Sequence, residues 1–212
     1  MIITFSSLKG GSGKTTLAVH LAHAIALSKK RVLLVDADPQ GSAQGWAAAR
    51  EDKAPFTVIG MARNTLHRDL PEIVADYDHA VIDTPPRVSA LARTSILAAD
   101  LVIIPVQPSS YDVWAATETV ELIEEAKGFK PDIKAAFVIN RKISNSIIGR
   151  DVEEALAEYD IPTLSKAIAQ RVAFSEASSG YTVLELSPSS AASTEVKALA
   201  KDVLKLMGLK KW

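Results

Sequence analysis

Residues 9–16 read Lys-Gly-Gly-Ser-Gly-Lys-Thr-Thr, between an apolar run (Ile2, Ile3, Phe5) and a helix-forming stretch over 17–26. A strand that enters a glycine loop and leaves as a helix turns several backbone N–H groups toward the helix N-terminus, which makes a cradle for a polyphosphate. In such a loop Lys14 reaches the β- and γ-phosphates, and the Thr15 hydroxyl ligates Mg²⁺. The expected nucleotide contacts are therefore Gly10, Gly11, Ser12, Gly13, Lys14, Thr15 and Thr16. The competing interpretation is an ordinary Gly-rich turn that carries lysines. Strand, loop, Gly-Lys-Thr and helix fall in the order the motif demands, so the chain is expected to bind a nucleoside triphosphate.

Apolar, β-branched runs then alternate with helical periods. Strands are expected over 2–6, 32–36, 56–59, 80–83, 101–106 and 135–139, with a weaker one over 164–168. Helices are expected over 15–28, 65–75, 90–98, 113–127, 150–158 and 193–207. Continuous apolar stretches such as Val32-Leu33-Leu34-Val35 and Leu101-Val102-Ile103-Ile104 are how strands buried on both faces read. The pattern predicts an α/β, doubly wound, mostly parallel sheet with helices on both faces, and ligands at the carboxyl ends of the strands. Residues 1–212 are expected to form one domain, with no separate DNA-reading module ahead of it.

Two acidic turns fall where that rule requires them. One run ends in Val35-Asp36-Ala37-Asp38-Pro39-Gln40-Gly41, another in Val81-Ile82-Asp83-Thr84-Pro85-Pro86. An Asp just past a buried strand and facing the glycine loop is placed to hold Mg²⁺ directly or through a water. The metal set expected is thus Thr15 and Asp83, with Asp36 supporting the shell. Each turn alone also reads as a plain strand terminator.

The glycine loop departs from the common G-x-x-x-x-G-K-[ST] pattern, with Leu8 in place of the first glycine and a second lysine at Lys9. In this respect, and in the segments 36–41, 83–86, 106–112, 140–141 and 170–185, the chain resembles the ParA/MinD family of deviant P-loop ATPases, most of all its small plasmid-partition members. The resemblance implies an ATP- and Mg²⁺-dependent homodimer in which Lys9 reaches the partner subunit's phosphates, the trans counterpart of an arginine finger. On sequence alone the alternative for Lys9 is a solvated loop lysine. The resemblance further implies that Asp38 orients the attacking water and that Asn140 and Arg141 contact adenine. Lys9, Lys14 and Asp38 are the catalytic set. The segment 170–185 would supply the second wall of the base pocket. It also implies slow hydrolysis stimulated by a ParB-like or other small partner, non-specific DNA binding, and a cytoplasmic, nucleoid-associated setting. A MinD-like membrane-cycling ATPase and a metabolic ligase or kinase of the same fold are the alternatives.

With no Cys among 212 residues, disulfides, thiolate metal sites and shared iron–sulfur clusters are excluded. No apolar run approaches the ~20 residues that span a bilayer, and no signal peptide is expected ahead of the first strand. A net charge of −1 means that any DNA binding comes from local patches. Lys197, Lys201 and Lys205 recur every four residues on the last helix, opposite Val196, Leu199, Val203, Leu206 and Met207. That row is either a solvated helix face or a phosphate-gripping stripe. Arg171, Arg141, Lys142 and Arg150 are the other DNA candidates. His20, His23, His67 and His79 lack metal-site spacing, and Trp46 and Trp114 read as core or interface anchors.

Overall fold

The computed structural model describes residues 1–87, 89–143 and 147–212, with 147–150 described by backbone alone. Six strands form one sheet in the order β3-β2-β4-β1-β5-β6: β1 (Ile2–Phe5), β2 (Val32–Asp36), β3 (Thr57–Gly60), β4 (His79–Asp83), β5 (Leu101–Val106) and β6 (Lys134–Ile139). Every pairing is parallel, so the expected "mostly parallel" sheet is wholly so among the described residues. Strand order reverses around β1, and the register of β1 on β4 sets Phe5 opposite Asp83, so both chains leave the sheet together at its carboxyl edge.

The two faces are packed by alternate residues of the same strands. One face buries Ile3, Phe5, Leu34, Val81, Ile103 and Val138 under α1 (Lys14–Ala26), α2 (Ser42–Ala48), α8 (Val183–Leu186) and α9 (Ala191–Leu206). The other buries Leu33, Val35, Ile82, Val102, Ile104 and Phe137 under α3 (Leu66–Val74), α4 (Ala90–Ala98), α5 (Ser110–Lys127) and α6 (Ile147–Leu156). A last short helix, α7 (Val172–Glu176), lies beyond β6 in sequence.

Three features depart from the sequence expectation. The weak strand at 164–168 is no strand. Leu164 donates to Phe137 O and Ile168 to Ile139 O, so four residues on this side span two on β6 and the ladder bulges apart. Such a bulge also blunts an exposed sheet edge. Helices α5 and α9 begin two or three residues earlier than periodicity suggested, because Ser109 and Ser190 cap them by accepting the N–H of Asp112 and Ser193. Helices α2, α7 and α8 are too short to show a period and fall outside the expected ranges.

Candidate functional site

The glycine loop closes over the carboxyl ends of β1 and β4. Gly13 caps α1 in a left-handed conformation (φ 92°), and a Cβ there would stand 2.2 Å from Asn140 Nδ2. Both facts demand glycine. Asn140 is itself a brace: its Nδ2 donates to Ser12 O (2.8 Å) and its Oδ1 accepts from the Arg141 N–H (3.0 Å). Gln107 braces the other side, its Nε2 donating to Gly11 O (2.8 Å). Lys14 curls into its own loop and donates to Ser7 O (2.9 Å) and Lys9 O (3.2 Å). Burial holds its ammonium below the usual lysine range, against the pull of Asp83 and Asp38. A phosphate oxygen is the natural replacement for those two carbonyls.

Thr15 donates to Asp83 Oδ2 (2.6 Å), while Asp83 Oδ1 is buried with no partner among the described residues. Burial pushes the Asp83 carboxyl up to about 7, with Asp36 and Asp38 adding to the rise and Thr15 opposing it. A hydroxyl, an orphaned carboxylate oxygen and excess local negative charge together fit a Mg²⁺ ion. Asp36 has a different first duty. Its Oδ1 accepts from the Asp38 N–H (3.2 Å) and its Oδ2 from those of Ala43 and Gln44 (2.9 and 3.0 Å). These bonds anchor the 36–41 loop and the start of α2, so Thr15 and Asp83 are left as the pair open to a cation. Asp38 is half-buried and borders the phosphate cavity.

Two cavities meet across the loop. One, of about 260 Å³, is bordered by Gly10, Lys14, Thr15, Asp38, Thr84 and Pro86. The second, of about 430 Å³, is bordered by Asn140, Gln170, Arg171, Phe174, Ser175 and Ser178. Gly13, Thr16 and Arg141 line both, so they form one cleft with a phosphate end and a wider, partly aromatic end that suits a purine. Arg141 holds a left-handed conformation (φ 54°), a strain that persists where surroundings impose it.

Lys9 points elsewhere. Its ammonium pairs with Asp112 on the first turn of α5, and Asp112 also accepts from Ser109 Oγ (2.6 Å) and the Gln107 N–H (3.3 Å). Sequence reasoning missed Asp112 and Gln107, because partners about a hundred residues apart leave no local signal.

Of the candidate DNA residues, Arg141 and Arg171 line this cleft, and the lysine row of α9 does not. Lys197, Lys201 and Lys205 are exposed along α9, with Lys197 donating to Pro188 O (2.8 Å). Arg171 sits on the rim of the base end and pairs with Glu195 (2.6 Å), which spends much of its charge locally. The Arg150 side chain lies outside the described residues. Of the histidines, His20 and His23 are buried and hydrogen-bonded to Thr16 O and Thr182 Oγ1, and His67 to Thr94 Oγ1. No group of three metal-ligating side chains occurs among the described residues. Trp46 is a core anchor stacked on Phe56, whereas Trp114 stands 65% exposed.

A glycine loop opening a helix, a buried Thr–Asp pair and a two-ended cleft at the carboxyl edge of a parallel sheet define a P-loop nucleotide-binding protein. Residues 3–182 match the family described as CobQ/CobB/MinD/ParA nucleotide binding domain, and the chain belongs to that family. It is 30% identical over 207 residues to the maintenance of carboxysome distribution protein A of Halothiobacillus neapolitanus, covering 95% of each chain. It is 27% identical over 235 residues to the chromosome-partitioning ATPase Soj of Thermus thermophilus, covering 95% of this chain and 94% of that one. The septum site-determining protein MinD of Pyrococcus horikoshii, solved with Mg-ADP, superposes with a TM-score of 0.82 at 20% identity, covering 98% and 97% of the two chains. The chain is a ParA/MinD-family ATPase.

Proposed function

We propose that this chain is a ParA-type positioning switch: it binds ATP and Mg²⁺, closes as a homodimer, grips DNA without reading sequence, and is released when a partner protein stimulates hydrolysis. The observation that carries this is the pairing of two loop lysines with different postures, Lys14 buried at the phosphate end and Lys9 held off it by Asp112. A lysine kept at the rim, 35% exposed at its side chain, supports the reading that it serves a second subunit rather than its own cleft. Relatives named for carboxysome distribution and chromosome partitioning support a cargo-partitioning role.

In this scheme the loop N–H groups and Lys14 hold the phosphates, and Phe174 and Arg141 flank the base. Thr15 and Asp83 would hold Mg²⁺, which neutralises phosphate charge when bound. Asp38, bordering the phosphate cavity from the end of β2, orients the attacking water, and a partner's Lys9 stabilises the charge that develops.

The membrane-cycling alternative needs a free amphipathic helix, which residues 206–212 do not supply, since they fold back. Lys134 donates to Leu206 O (3.1 Å), and Trp212 is buried with its ring edge-on to His79 at 5.3 Å. No described helix is long and apolar enough to cross a membrane. A salt titration of binding to random duplex DNA with ATP tests the DNA arm. Affinity should fall by ~0.9 log units per log unit of salt for each phosphate neutralised, and Lys197→Ala/Lys201→Ala/Lys205→Ala should flatten that slope. An unchanged slope makes the α9 row a merely solvated face, and no binding with ATP removes DNA from the proposal.

A further inference from the structure

Arg50, two residues past the end of α2, is a cation that lines neither cavity of the cleft, yet its side chain is only 2% exposed. Arginine is almost never so buried unless it is paired. Its strongest bonds lead to the segment between α7 and α8. Nη1 donates to Gly180 O (2.7 Å), and Nη1 and Nη2 reach the two Glu185 oxygens (3.3 and 2.9 Å). A further bond goes from Nη2 to the exposed Asp52 (2.8 Å). The guanidinium also lies over the Tyr181 ring, 4.7 Å from its centroid. Gly180 (φ 102°) permits this approach, because a Cβ there would stand 2.8 Å from Arg50 Cγ and 2.9 Å from its backbone N. Trp46 on α2 makes a second tie, its Nε1 donating to Tyr181 O (2.9 Å).

The other end of α2 stands in the phosphate site. Asp36 accepts the N–H groups of Ala43 and Gln44, and Gly41 O accepts that of Gly45 (2.8 Å), so the 36–41 loop runs into α2 without a free joint. Asp38 is thus suspended between the end of β2 and a helix whose far end is held by Trp46 and Arg50. The segment that holds them continues from α7, which carries Phe174 and Ser175 at the base end. Ala177 between them is fully buried, and the Tyr181 N–H bonds back to its carbonyl (3.0 Å). One chain of bonds therefore runs from the base end through Arg50 to Asp38.

We infer that Arg50 is a positioning residue for hydrolysis, setting Asp38 through α2 according to whether the base end is filled. A bidentate fork fixes the direction of the helix end as well as its distance. Precision at that end matters, since a misplacement of about 1 Å at a reacting centre costs on the order of a hundredfold in rate. The inference rests on the proposed role of Asp38 as the group that orients water.

The test is single-turnover hydrolysis of ATP and of inorganic triphosphate, both with Mg²⁺ and saturating protein, beside equilibrium titrations of the two ligands. Removing Arg50 alone would strand the Glu185 carboxylate, so the main variant is Arg50→Met/Glu185→Gln. Trp46→Phe is the second, keeping an aromatic ring and deleting the bond to Tyr181 O. The parent should hydrolyse ATP faster than triphosphate, because only ATP fills the base end. In Arg50→Met/Glu185→Gln the ATP rate should fall by about tenfold or more, to that of triphosphate, with ATP affinity at the parent value. Trp46→Phe should move the same way by less, and it decides by the same criteria if the double variant does not fold. Arg93→Met, which breaks an exposed pair with Glu125, should change neither rate nor affinity. A parent-like ATP rate in the variants, or rate and affinity lost in equal measure, overturns the positioning role. A parent that hydrolyses both ligands equally, or an ATP-to-triphosphate ratio unchanged in the variants, overturns the link to the base end. Asp38→Ala that hydrolyses ATP like the parent would instead sink the proposed role of Asp38 on which the inference stands.

Discussion

The two ends of the cleft are built in opposite ways. The phosphate end comes from consecutive residues, 9–16, on one loop that runs into one helix, and its two acidic helpers sit at the tips of neighbouring strands. The base end is assembled from Asn140 after β6, the irregular stretch around Ile168 and Gln170, and Phe174 on α7. Local chain geometry imposes the first: a left-handed Gly13 and a helix N-terminus create the anion site wherever they occur. Tertiary packing alone imposes the second. Changes at the phosphate end should therefore abolish function outright, while changes at the base end should grade it.

The largest effect is expected at Lys14. Lys14→Gln removes the buried cation and should weaken ATP binding by about a hundredfold or more in an equilibrium titration. Retained affinity would overturn the phosphate-end assignment. Asp38→Ala comes next, with ATP affinity kept and single-turnover hydrolysis slowed by about a hundredfold, because one positioned group that aligns a water contributes on that scale. At the base end Phe174→Ala should cost about tenfold in ATP affinity, the loss of one aromatic face, while inorganic triphosphate binds as before. Equal losses for both ligands would mean that the two ends are not separable.

The smallest effect concerns the tie between the phosphate-loop helix and α8. His20, on the helix that leaves the phosphate loop, donates through Nδ1 to Thr16 O (2.7 Å) and accepts the Val183 N–H at Nε2 (3.1 Å). Burial lowers its pKa to about 4. A histidine lowered in the folded state binds fewer protons there than when unfolded, so its contribution is fully present above pH 6.5 and is lost as pH falls toward 4. Melting temperature followed from pH 7 to 4 should drop less steeply in His20→Gln than in the parent.

How much could be read from the chain follows the same division. The loop, Thr15 and Asp83 were legible because the motif encodes its own context, and the buried strands because apolar runs such as 32–35 have no other use. The brace from Asn140 to Ser12 O spans 128 residues, and the one from Gln107 to Gly11 O spans 96. Nothing in either neighbourhood announces them. Asp36 shows the limit of position alone: the sequence set it in support of the metal shell, and the structure adds a second duty, accepting backbone N–H groups that no pattern counts. The edge at 164–168 failed for a related reason, since an apolar stretch does not reveal a bulge.

The central claim is that ATP closes two copies of this chain through Lys9. Sedimentation velocity with MgATP, on the parent and on Lys9→Ala, tests it most directly. The parent should sediment as a dimer with MgATP and as a monomer with MgADP, and Lys9→Ala should bind ATP yet remain a monomer. A Lys9→Ala protein that dimerises like the parent, or a parent that stays monomeric when saturated with MgATP, would contradict it.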